Sequence, residues 1–244
     1  MRAPTAAALL DAWDQGHAAS PVGRALALLA AADPTSAPAT LAALPVGERD
    51  GRLLTLREAV FGARVAGRAA CPACALELDL AFLVSDIRVS ADAARADTFT
   101  LAAAGYAVAF RLPTSQDLLA LAGLRDVEMA RQMLLTACIV AVQPPDDAAL
   151  DTPLPAAVVA ALVAHMAAAD PQADVQLALV CPACVQQWQE SFDIVSFLWA
   201  ELDAWAGRLL REVHSLATAY GWGEAAILAL SPRRRQYYLE LVRG

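Results

Sequence analysis

Through the first sixty residues the apolar positions recur with the period of about 3.6 that marks helices. Pro4 suits the first turn of a helix carrying Leu9, Leu10 and Trp13. Ser20-Pro21 supplies an N-cap followed by Pro at N1, and opens a helix through Leu26, Leu28 and Leu29 that Asp33-Pro34 stops. A short Ala-rich helix ends before Pro45. From about 47 to 61 a further helix places Leu53, Leu54, Leu56, Val60 and Phe61 as apolar positions and Glu48, Arg49, Arg52, Arg57 and Glu58 as polar ones.

The period then changes. Leu76, Leu78, Leu80 and Phe82 alternate with Glu77 and Asp79, which predicts a strand with one buried face. Phe99–Leu101 and Val108–Phe110–Leu112 flank an Ala104-Gly105 turn and predict a hairpin ended by Pro113. Thr114 and Asp117 are spaced as a capping box, and helices are expected to Gly123 and from Asp126 to Val142. Residues 143–153 form the one obvious linker, because Pro144-Pro145-Asp146-Asp147 fits neither helix nor central strand. A helix from Pro155 to Ala169 and a strand through Val175, Leu177 and Leu179 follow. Leu198, Leu202, Trp205, Leu209, Val213, Leu216 and Tyr220 then trace one stripe of a long amphipathic helix. Gly221 and Gly223 allow a turn, a short helix covers Glu224–Leu230, and Ser231-Pro232 caps a last helix to about Val242. The expected class is α+β, mostly helical, with two or three β-hairpins. The chain divides into segments 1–62, 63–143 and 154–244 that act as one cooperative unit.

Two tetrapeptides are identical: Cys71-Pro72-Ala73-Cys74 and Cys181-Pro182-Ala183-Cys184. A Phe follows the first Cys at the same spacing in each copy, Phe82 and Phe192. Two residues between cysteines let one turn aim both thiolates at one point, and Pro pre-sets that turn. Two such knuckles present four sulfurs, the ligand set of a tetrahedral structural Zn²⁺. Many knuckles carry Gly after the second Cys, where positive φ is favoured; Ala75 and Val185 stand there instead. Other readings of the four cysteines are a thioredoxin-like redox pair, ordinary buried or disulfide-bonded thiols, or an iron–sulfur ligand set. A redox pair calls for one motif in a βαβ setting, whereas two motifs stand on hairpins. With every ligand drawn from the protein no coordination position stays open, so the ion pins two distant hairpins together rather than performing catalysis.

Charge and composition narrow the partners. The 244 residues carry a formal net charge of −8, with 18 basic residues that are all Arg. Such a balance opposes binding to nucleic acid. The longest uncharged stretch, Thr152 to Ala169, is broken by Pro153 and Pro155, carries His165 and is Ala-rich, so no membrane span is expected. Asp11 and Asp14 interrupt the N-terminal apolar run, so it does not read as a signal peptide, and a cytoplasmic protein with reduced cysteines is expected. Cys138 sits in an apolar run and reads as core; His17, His165 and His214 are isolated. No nucleophile elbow, zincin motif, P-loop or dinucleotide fingerprint occurs, and neither catalytic residues nor a small-molecule substrate are expected.

Arg233, Arg234 and Arg235 fall in the first turn of the last helix, where cations oppose the helix dipole. They read either as intramolecular partners of Glu224 or other acidic groups, or as a docking surface for an acidic partner. Trp222, Tyr237 and Tyr238 add aromatic anchors of the kind enriched at interfaces, or else belong to the core.

A resemblance enters in the C-terminal segment. Asp193-Ile194-Val195-Ser196, Glu201–Ala206, Leu209–His214, Ala219-Tyr220-Gly221-Trp222 and Ile227–Arg235 resemble the T-even-phage-type baseplate hub assembly chaperone family, found in contractile phage tails and extracellular contractile injection systems. Gly47-Glu48-Arg49-Asp50, Leu54-Thr55-Leu56-Arg57-Glu58 and the CPxC knuckles resemble the injection-system members. The resemblance implies a non-enzymatic protein that helps assemble the hub or baseplate, has other baseplate proteins as partners, and is incorporated in the particle or released from it. Competing expectations are a zinc-ribbon module that binds nucleic acid or regulates, and a CxxC thiol oxidoreductase.

Overall fold

A computed structural model describes residues 3–89, 96–145 and 153–243. In chain order the elements are α1 (Ala6–Gly16), α2 (Pro21–Ala32), α3 (Pro38–Ala42), α4 (Val46–Phe61), β1 (Arg64–Ala70), β2 (Glu77–Leu83) and α5 (Val84–Ile87). Then come β3 (Phe99–Ala103), β4 (Tyr106–Phe110), α6 (Ser115–Ala120), α7 (Val127–Cys138), β5 (Ile139–Gln143) and α8 (Ala156–Ala169). A 3-10 turn (Pro171–Ala173) leads to β6 (Val175–Val180), β7 (Gln187–Phe192), α9 (Ile194–Tyr220), α10 (Glu224–Leu228) and α11 (Pro232–Arg243). The class is α+β: helices dominate, and the strands form two antiparallel hairpins, β1–β2 and β6–β7, and one antiparallel sheet ordered β3–β4–β5.

Burial groups these elements into three main packed regions. Leu28, Leu29, Leu53, Leu54 and Leu56 of α2 and α4 meet Ile194, Val195, Leu198 and Leu202 at the start of α9, with Val65 of β1 and Val84 and Ile87 of α5 in the same cluster. A second core joins Leu101, Val108 and Phe110 of the sheet to Cys138 of α7 and to Val158, Leu162 and Met166 of α8. The far end of α9 has its own small core, Val213 and Leu216 against Ile227 and Leu239. α9 thus runs from the first core to the third. The Asp193 carboxylate caps its start by accepting from the Val195 N–H, and Gly221, at φ 69°, ends it.

Polar groups tie the first core together. Arg57, read as part of a polar face, is buried; its guanidinium donates two bonds of 2.8 and 2.9 Å to the Glu201 carboxylate and one of 2.7 Å to the Gly62 carbonyl. α4, α9 and the entry to β1 are therefore fixed by one charge-assisted fork. Arg49 and Asp50, also buried, pair at 2.7 Å. Burial pushes the Asp50 carboxyl up, against the opposing pull of Arg49. The Gly47 N–H donates to the Asp170 carboxylate at 2.8 Å, and a Cβ on Gly47 would lie only 1.9 Å from that carboxylate. Gly is required there by close approach. Gln172 accepts from the Val89 N–H and donates to the Ile87 carbonyl, so the turn after α8 is bonded to both α4 and the segment after α5.

The helix expected from Asp126 to Val142 is shorter than the pattern suggests. It ends at Cys138, and Ile139–Gln143 becomes the third strand of the sheet, with Val108 opposite Val142 and Ala109 opposite Ala141. The run Ile139, Val140, Val142 is β-branched, which favours the pleated surface once a neighbouring strand is present to bond it. The expected linker accordingly begins later; its residues 146–152 lie outside the described residues. The capping box forms as predicted: the Thr114 hydroxyl accepts from the Asp117 N–H, and the Asp117 carboxylate accepts from the Thr114 N–H at 2.8 Å. Arg111 adds a bidentate pair to the same carboxylate at 2.7 Å. That pair, with the bonds from Thr114, holds Asp117 down at about 2.

Candidate metal centre

Each tetrapeptide lies on the turn of a hairpin whose strands pair in the same relative register: Ala70 faces Glu77 in one, Val180 faces Gln187 in the other. The turns close with the same bonds. The Cys71 N–H donates to the Leu76 carbonyl and the Ala75 N–H to the Cys71 carbonyl, each at 2.9 Å. The Cys181 N–H donates to Gln186 at 2.9 Å and the Val185 N–H to Cys181 at 3.0 Å. Ala75 and Val185 adopt φ of 57° and 61°. The left-handed backbone of a knuckle is present without the glycine that makes it easy. A β-branched residue there is strained by roughly 1–2 kcal/mol, which persists only where the surroundings fix the turn.

The two hairpins meet so that the sulfurs converge. Cys71 Sγ lies 3.6 Å from Cys184 Sγ, and Cys74 Sγ lies 3.6 Å from Cys181 Sγ. The first cysteine of each motif faces the second of the other, as in a two-fold arrangement. All four sulfurs lie within 4.8 Å of one another. Behind them Phe82 and Phe192 make an edge-to-face contact at 5.6 Å, and Phe192 touches Phe197 of α9 at 5.3 Å.

The donor set fits a metal ion. A disulfide requires about 2.05 Å between sulfurs, and all four thiols are free. Four sulfurs each about 2.3 Å from one ion would be separated by about 3.8 Å, close to the observed spacing. The electrostatics agree. Backbone N–H groups of Cys184 and Ala183 donate to the Cys181 sulfur and bring that thiol down to about 6 despite burial. The Gln186 N–H acts the same way on Cys184, but burial and the sulfurs of Cys181, Cys71 and Cys74 outweigh it and push Cys184 up to about 12. At Cys74 the Leu76 N–H lowers the thiol, and the Cys181 sulfur, burial and the Cys71 sulfur together outweigh it, so the thiol is raised. Four sulfurs this close cannot all carry charge without a compensating cation. Cys71 and Cys181 are buried; Cys74 and Cys184 are exposed.

The remaining candidates stand elsewhere. Cys138 is fully buried beside Phe110 and Val158, and its thiol is pushed up to about 11 by burial. His165 and His214 are exposed, and His17 rests against the Trp13 ring at 5.7 Å. Of the C-terminal arginines, Arg235 turns inward: it is 5% exposed and bonds Glu212 at 3.2 Å and the Leu230 carbonyl at 2.8 Å. Arg233 and Arg234 are exposed, as is Tyr237. Trp222 stacks on Tyr220 at 4.7 Å and meets Tyr238 edge-on at 4.9 Å, both half-buried. The residues that sequence reasoning passed over are Gly47, Arg57, Asp170 and Gln172. The first two belong to the stretches 47–50 and 54–58 already singled out, and both are buried against distant carboxylates.

The family model described as T4 bacteriophage base plate protein matches residues 30–199, well over half of the chain. The chain belongs to the T4 bacteriophage base plate protein family. The match contains both stretches of α4, both cysteine tetrapeptides and the start of α9. It ends at Trp199, so most of the C-terminal segment that carried the resemblance lies beyond it. As a base plate family protein the chain has a structural or assembly role connected with other base plate proteins. Comparison with curated proteins and with solved structures gives no match. No helix among the described residues is long and apolar enough to cross a membrane.

Proposed function

We propose that this protein is a non-enzymatic assembly factor or component of the hub or baseplate of a contractile tail-like injection particle, and that a structural zinc ion held by Cys71, Cys74, Cys181 and Cys184 joins its two halves. The single observation that carries the metal reading is the convergence of four sulfurs from two knuckles. The family match carries the baseplate reading. Zinc is favoured over other ions because an all-thiolate, closed, tetrahedral set is its structural-site pattern. The ion would supply cohesion: it cross-links the hairpin that leads into α5 to the one that leads into α9, across an intervening stretch with its own core. Convergence of two pairs, rather than one pair beside a helix N-terminus, supports ligation over thiol exchange.

In this reading the protein is made in the cytoplasm, acts without substrate turnover, and does not bind nucleic acid. The test is co-expression with the neighbouring tail-particle proteins followed by affinity purification. A hub or baseplate component that co-purifies in a fixed ratio supports the role. Recovery of the chain alone under conditions where the particle assembles would contradict it.

A further inference from the structure

Resting on the proposed role, we infer that the exposed face of α11 is a docking groove for an acidic polypeptide segment that ends in apolar residues. That face carries an open, shallow hollow of about 450 Å³ lined by Arg233, Arg234, Gln236, Tyr237, Tyr238 and Glu240, all of the one helix. Charge is the first argument. Arg235 is the one member of the arginine run that forms an ion pair among the described residues. Arg233 and Arg234 point to solvent in the first helical turn, where the N-terminal end of the helix already carries partial positive charge. Ser231 caps that end by accepting from the Arg234 N–H, so the turn is well formed, and the two cations oppose the dipole without an ion pair among the described residues, Glu240 being the one acid in the same lining. An incoming carboxylate would satisfy both the guanidinium groups and the dipole.

Apolar exposure at and beside the hollow is the second argument. Tyr237 is 61% exposed and Leu241 57% exposed, one helical turn apart on the same side of α11. The Tyr237 ring meets Tyr238 edge-on at 6.4 Å, Tyr238 meets Trp222, and Trp222 stacks on Tyr220. Beneath them Val213, Leu216, Ile227 and Leu239 form a separate small core at the far end of α9, and the Arg235–Glu212 pair pins α11 to α9. An exposed aromatic beside an aromatic cluster, flanked by cations on one side and an aliphatic on the other, has the make-up of an interface anchor. The chain as a whole is acidic, so this basic spot is a local exception that would draw a complementary segment and fix its direction.

The test uses the isolated full-length chain and two labelled peptides, one with a glutamate run followed by leucines and one with lysines in place of the glutamates. Fluorescence anisotropy is expected to show binding of the acidic peptide only, weakening as salt rises. Arg233→Glu with Arg234→Glu is expected to weaken it about tenfold or more while leaving the thermal melt unchanged or slightly raised, since acids suit a helix start. Tyr237→Ala is expected to weaken it about threefold to tenfold. Equal binding of both peptides, or binding unaffected by the double reversal, would overturn the inference. So would a dimer in sedimentation that the reversal dissolves, because the groove would then belong to a second copy. Absence of baseplate components from the co-expression purification bears on the proposed role alone, because the peptide measurement involves no other particle protein.

Discussion

The hairpin pair β1–β2 and β6–β7 and the sheet β3–β4–β5 are built from similar lengths of strand, yet they are held by different means. The sheet has a core: Leu101, Val108, Phe110 and Cys138 are buried under α8. The hairpins join the first core near their bases, through Val65, Phe82, Val175, Leu177 and Phe192, and toward their tips burial is confined to Ala69 and the cysteines Cys71 and Cys181. Along β2 and β7 no residue is fully buried. Two-stranded hairpins are marginal on their own. The sulfurs therefore do for the hairpins what apolar burial does for the sheet, and a change that removes one support should leave the other standing.

The largest expected effect follows from loss of the sulfur cluster. Apparent binding free energies of structural zinc reach on the order of 10 kcal/mol, comparable with the stability of a whole domain. Cys71→Ser with Cys181→Ser should abolish metal binding and strip protection from amide exchange in β1, β2, β6 and β7 first, while β3–β5 stay protected. Next is Phe110→Ala, which empties a fully buried ring position stacked on Phe99 at 5.5 Å. It should cost about 3–5 kcal/mol in urea unfolding and leave metal content unchanged. The smallest is Asp117→Asn at the edge of the sheet region, which should cost about 1–2 kcal/mol. Because the folded carboxyl titrates at about 2, below its ordinary 3.8, its contribution is complete above about pH 4 and is lost as pH falls toward 2. The variant should lack that acid-dependent component of the melt.

Those two regions were legible to different degrees. The tetrapeptide repeat disclosed the sulfur site directly, because CPxC spacing dictates a local turn whatever surrounds it. The strands beside it were less visible: β1 reads Arg-Val-Ala-Gly-Arg-Ala-Ala and β7 reads Gln-Trp-Gln-Glu-Ser-Phe, with little β-propensity. They are strands because each completes a hairpin whose other strand alternates. In the sheet region β3 and β4 announced themselves by period, but β5 continued an apolar helix without a break, and only its pairing with β4 separates the two. Arg57 and Gly47 were hidden for a related reason. Burial of a charge or the need for a glycine depends on Glu201 and Asp170, more than a hundred residues away in the chain.

X-ray absorption at the metal edge of the purified chain tests the shared site most directly. A shell of four sulfurs at about 2.3 Å around one zinc per chain is the predicted result, with no nitrogen or oxygen ligand. A protein purified with its thiols reduced that contains no metal, or one whose ion shows a mixed oxygen and nitrogen shell, would contradict the view that Cys71, Cys74, Cys181 and Cys184 hold the two halves together.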